Sequence, residues 1–153
     1  MIRRLAGILV LAVVAGGCGG DGGRLSKSEY EQRMQEIGTE LRNASSALDF
    51  SQTRDLQKLA DTIAEFRDRL ENAASDVDDI NPPEDAETET EQIGQALHAF
   101  ADTFNKMESA AREGKLQELQ EAQAEIAAQG AEAQRATASL KRKGYNIGDL
   151  GSD

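Results

Sequence analysis

The sequence predicts an all-α fold, an antiparallel up-down-up-down four-helix bundle, on three observations. Helix breakers are confined: half of the 14 glycines precede Arg24, and the two prolines are adjacent at Pro82 and Pro83. Between those breaks apolar residues recur at alternating spacings of three and four, the signature of one helix face. Aromatic residues make up only 4% and tryptophan is absent, so the core must be built from Leu, Ile, Ala and a few Phe, which interlocking helices tolerate best. At 153 residues the chain is sized for one domain.

The first element is not part of the bundle. Met1 to Arg4 carries two cations, Leu5 to Val14 is an apolar run, and Ala15, Gly16 and Gly17 are small. This is the layout of a secretory signal peptide, 1–17. The run is about half the roughly 20 residues a membrane-spanning helix needs. Ala15, Gly16, Gly17 and Cys18 resemble the lipobox of bacterial lipoproteins, although Leu is more usual where Ala15 stands. The resemblance implies that Cys18 receives a diacylglycerol and becomes the first residue after cleavage. The other reading is a secreted protein cut nearby with Cys18 a free thiol. As the single cysteine, it has no partner in the chain for a disulfide. Arg3 and Arg4 lack the surroundings of a twin-arginine signal, which leaves the general secretion route.

Residues 18–25 read as a flexible tether, rich in glycine, spanning roughly 15 Å root-mean-square. Two lipid chains on Cys18 would anchor firmly where one would be marginal.

The bundle domain is expected over 26–147. Ser26 and Glu29 form a capping box, followed by a stripe through Tyr30, Met34, Ile37, Leu41, Ala44 and Leu48. This predicts a first helix over 27–48. Ser51 is the expected cap of the second helix, whose stripe runs Leu56, Leu59, Ile63, Phe66, Leu70, Ala73, Val77 and Ile80. It should stop at Asn81, because the residue before proline is pushed out of the helical region, with Pro82 or Pro83 in the first turn of the third helix. That helix shows Ile93, Leu97, Phe100, Phe104 and Met107 and breaks at Gly114. The fourth is expected from Lys115 to Lys143, anchored by Leu116, Leu119, Ile126, Ala133 and Leu140 among many alanines, with Gly144 closing it. Tyr145 to Ile147 should fold back on the bundle end, and 148–153 should fray.

Charge excludes one class of partner. The net charge is −11, and all the acids follow Cys18 while Arg3 and Arg4 precede it, which makes the mature part about −13. Nucleic acid is therefore an unsuitable partner, since binding it requires a cationic face.

Four features are candidates for a site. The stretch from Leu70 to Asn105 has no Lys or Arg, and Asp76, Asp78, Asp79, Glu84, Asp85, Glu87, Glu89 and Glu91 crowd the second junction. A calcium loop fails there, because Ile80 stands where a third oxygen ligand belongs; a solvated acidic loop is the plainer reading. Lys141, Arg142 and Lys143 could neutralise those acids, cap the last helix, or touch anionic headgroups at the membrane-proximal end. His98, the one histidine, is expected at an exposed or boundary position near Asp102; no Glu-x-x-His pair of a di-iron bundle is present. Ala122, Ala127, Gly130, Ala133 and Ala136 form a small-residue face, read first as close helix approach and second as the wall of a cavity for an apolar ligand. No nucleophile with a partnering base is evident, and no enzyme activity or cofactor is expected.

The passage Val77, Ile80, Pro82, Pro83 leading into a long amphipathic helix, with Gly144 and Tyr145 later, resembles small helical lipoproteins of actinobacteria. That group carries no established activity to transfer. Periplasmic helical chaperones are also small and helical, but their Leu-Thr-x-x-Gln signature is absent. The expectation is a membrane-anchored extracytoplasmic lipoprotein, acting as a non-enzymatic interaction or structural module with an unidentified envelope partner. The alternative is a carrier of a small apolar ligand. A pocket of several hundred cubic ångströms between the helices would favour the carrier; a filled core with an exposed apolar patch would favour a protein partner.

Overall fold

A helix closes its own backbone hydrogen bonds but leaves an apolar stripe to bury, and four such stripes meet here as an all-α four-helix bundle. The computed structural model describes residues 23–46, 48 and 55–148. The expected signal peptide 1–17, Cys18 and most of the expected tether, Ser51, and residues 149–153 of the expected frayed end lie outside the described residues. The helices are α1 (Lys27–Ser46), α2 (Leu56–Asp78), α3 (Glu87–Glu113) and α4 (Leu116–Arg142).

The capping box forms: the Ser26 amide donates to Glu29 Oε2 at 2.9 Å and the Glu29 amide to Ser26 Oγ at 3.4 Å. Those bonds from Ser26 hold the Glu29 carboxyl below its ordinary pKa. The cap of α2 is Asp55 rather than Ser51; its side chain accepts from the Gln57 amide at 3.0 Å. α2 ends at Asp78, two residues short of Ile80. The prolines do not enter the first turn of α3. Pro83 instead precedes a 3-10 turn at Glu84–Ala86, which buries Ala86 completely before the α-helix begins.

Gly114 adopts φ 71°, a left-handed conformation that glycine reaches without a Cβ penalty. Its amide and that of Lys115 close α3 on the carbonyls of Ala111 and Ala110, and α4 starts two residues later. Beyond Gly144, Tyr145 and Ile147 are buried, so the tail folds back on the bundle end. Gly148, expected in the frayed tail, is half-buried beside Gln35.

The seams α2–α3 and α3–α4 are close, α1–α2 is lighter, and α1 and α4 share no comparable seam. The close approach of α3 to α2 rests on Gly94, where a Cβ would stand 2.8 Å from Asp78 Oδ1 and 3.5 Å from Val77 Cγ1. Phe66 of α2 meets Phe104 of α3 edge-on at 4.8 Å. Buried core residues among those described run from Tyr30 to Ile147, with Leu25 packed against them. A chain starting at Gly19 therefore contains every core residue among those described. No described helix is long and apolar enough to cross a membrane.

Candidate functional site

The site follows from how unevenly α1 is held. Its first half is fastened to the bundle end. Thr90 donates its hydroxyl to the Ala86 carbonyl at 2.8 Å, which leaves its oxygen to accept from the buried Tyr30 hydroxyl, also at 2.8 Å. Tyr145 packs edge-on against Tyr30 with centroids 5.4 Å apart, and its hydroxyl donates to Asp85 at 2.5 Å. Burial and that carboxylate push the Tyr145 phenol well above its ordinary pKa. The tail backbone completes the latch: Asn146 donates from its amide to Glu31 and accepts at its carbonyl from Gln35. From Gly38 onward, the described side-chain hydrogen bonds of α1 stay within the helix, as Thr39 to the Gln35 carbonyl and Ser45 to the Arg42 carbonyl.

Where α1 is loosely held, the core opens. A cleft of about 340 Å³ lies between α1 and the other three helices. Met34, Leu70, Val77 and Ile93 form a floor that is almost fully buried. Leu41, Leu48, Phe100 and Ile126 form a half-buried rim. On the α4 wall stand Gly130 and Ala133; a Cβ at Gly130 would find only Phe100 Cζ, at 3.9 Å. From Ile93 to Phe104 the cleft follows α3 for about 16 Å, at 1.5 Å per residue. Among the lining side chains the polar ones are Arg42 and Ser45, both exposed on α1. A second groove, about 380 Å³, flanks α1 on the α2 side and is lined by Glu40, Asn43, Thr62, Glu65 and Arg69. Its charged walls suit water, whereas the first cleft suits hydrocarbon.

The small-residue face of α4 is therefore divided. Ala122 and Ala136 are buried in the packed core, Ala127 is exposed, and Gly130 and Ala133 line the cleft instead of admitting close approach. Arg42 and the α1 wall were not singled out in the sequence. The available signal was a stripe that thins to Ala44 and Leu48 in the half of α1 facing Gly130 and Ala133.

The acidic junction is met by partners from both chain ends. Lys143 Nζ bonds Glu89 at 2.7 Å and the Asp85 carbonyl at 2.6 Å, Ser139 donates to Glu89 at 2.7 Å, and Arg24 pairs with Glu87 at 2.7 Å. Burial raises the Glu89 pKa, but the bonds from Lys143 and Ser139 outweigh it and the carboxyl settles below its ordinary value. Lys143 thus bonds into the junction while its side chain stays 38% exposed, and Lys141 and Arg142 are exposed beside it. His98 is exposed and pairs with Asp78 at 2.8 Å, across the α2–α3 seam rather than with Asp102. Among the described residues, no group of three or more His, Cys, Asp or Glu side chains could hold a metal ion.

No protein-family model, curated protein or solved structure matches this chain.

Proposed function

We propose that the chain is a membrane-anchored extracytoplasmic lipoprotein that carries a small apolar ligand in the cleft beneath α1. The single observation that supports the carrier is the cleft itself: about 340 Å³ with an apolar floor and rim, within the size range of small-molecule sites. The anchoring rests on the cationic, apolar and small-residue zones of 1–17 and on Cys18. With Cys18 lipidated, the bundle end bearing Pro82 to Glu89 and Lys141 to Lys143 faces the membrane, and Lys141 and Arg142 reach its headgroups. The rim of the cleft then opens on the part of the bundle further from the surface. A protein partner is the second reading, favoured by Leu116, which is 61% exposed at the Gly114 end instead of anchoring α4 as its place in the sequence suggested.

The test uses the Gly19–Asp153 chain and the neutral fluorophore N-phenyl-1-naphthylamine. Saturable enhancement at one probe per chain is expected, weakened at least tenfold by Ala133→Phe, which fills the α4 wall. A probe signal that never saturates, or that Ala133→Phe leaves untouched, would overturn the carrier.

A further inference from the structure

The cleft is not uniformly apolar, and its polarity has a direction. Its floor, at Met34, Val77 and Ile93, is no more than 2% exposed. Its mouth carries Arg42, the one charged side chain among the lining residues, beside the hydroxyl of Ser45. Arg42 makes no ion pair with a described residue, as is also true of Arg69, Arg135 and Arg142, but of these four it alone lines this cleft. Resting on the carrier reading, we infer that the ligand is a single-chain amphiphile with a carboxylate head, its tail on the floor and its head against Arg42.

Three physical arguments select that class. A guanidinium presents a planar fork that matches a carboxylate with two parallel hydrogen bonds. The cleft runs about 16 Å along α3 as a single trough, a shape that suits one extended hydrocarbon chain. An apolar molecule without a head would leave Arg42 idle, and a cationic one would meet it as a like charge. The chain's net charge of −11 opposes any anion at a distance, but salt screens that field within about 8 Å, so the local guanidinium decides.

The experiment is displacement of N-phenyl-1-naphthylamine from the Gly19–Asp153 chain by dodecanoate, dodecanol and dodecyltrimethylammonium, each below its micellar concentration. Dodecanoate is expected to displace the probe at a concentration at least tenfold lower than dodecanol, with the ammonium weakest. Arg42→Gln should erase the advantage of dodecanoate over dodecanol, with far-UV circular dichroism reporting that the variant is folded; Arg42→Lys should keep part of it. Equal displacement by dodecanoate and dodecanol in the unmodified chain overturns the amphiphile and leaves the carrier standing. A dodecanoate preference that survives Arg42→Gln overturns it as well. If the probe itself does not bind, the carrier reading fails and the amphiphile with it.

Discussion

Glu89 is a carboxylate that burial alone would disfavour, and it stays charged because Lys143 and Ser139 meet it. Removing one partner of such a pair costs more than the pair contributes, since the remaining charge is left desolvated. Lys143→Met is therefore expected to lower stability by about 2 kcal/mol at neutral pH, below the 3 to 5 kcal/mol of fully buried pairs because the lysine is partly exposed. The pH dependence has a definite sign. A carboxyl with a depressed pKa stabilises above its unfolded value and loses that contribution as pH falls through the lower folded one. The unfolded value is near 4.5, so the gap between the parent chain and Lys143→Met should be full at pH 7 and smaller at about pH 3. Urea titrations of both chains at the two pH values measure it. An unchanged gap in acid would show that Lys143 acts through packing.

At the scale of the helices, Gly130 is a weakness that local propensity does not explain. A glycine inside a helix costs about 1 kcal/mol relative to alanine, and nothing at this position forbids a Cβ, whose nearest neighbour would be Phe100 Cζ at 3.9 Å. Gly130→Ala should raise stability by about 1 kcal/mol, roughly 4 °C in Tm. Gly114→Ala, at φ 71°, should lower it by a similar amount. Paired thermal melts of the Gly19–Asp153 chain check both signs. The helices were legible in the sequence because their stripes and breakers are local: Ser26 with Glu29 and Gly114 each act within one turn. The cap of α2 differs because Ser51 and Asp55 are both acceptable caps by residue type, and the helix begins at Leu56, directly after Asp55. The partner of His98 was missed for a related reason. Asp102 is one turn away in sequence, whereas Asp78 comes close only because Gly94 lets α3 press against α2.

For the molecule as a whole, the cleft depends on contacts that no stripe encodes. It lies where α1 shares no close seam with α4, and only the first half of α1 is tied down. The ties come from the far end of the chain, where Tyr145, Asn146 and Ile147 hold Tyr30, Gln35 and Glu31. The sequence indicated that the tail folds back, but not that it grips α1. Deleting residues 145–153 should consequently act on α1 before anything else. It strips a T-shaped ring pair, worth about 0.5 to 1.5 kcal/mol beyond its buried area, together with a fully buried Ile147, whose loss alone removes about 1.5 to 3 kcal/mol of burial. The close α2–α3 and α3–α4 seams do not pass through the tail and should persist. Limited trypsin digestion is then expected to cut first at Arg33 and Arg42 in the truncated chain, while the parent chain resists there. Far-UV circular dichroism should fall by no more than the share of α1, and saturable naphthylamine binding should disappear, because the helix that closes one side of the cleft is no longer fixed. Retention of binding after the deletion would mean that the second half of α1 holds its place without the latch, and that the loosely packed wall is more rigid than its contacts suggest.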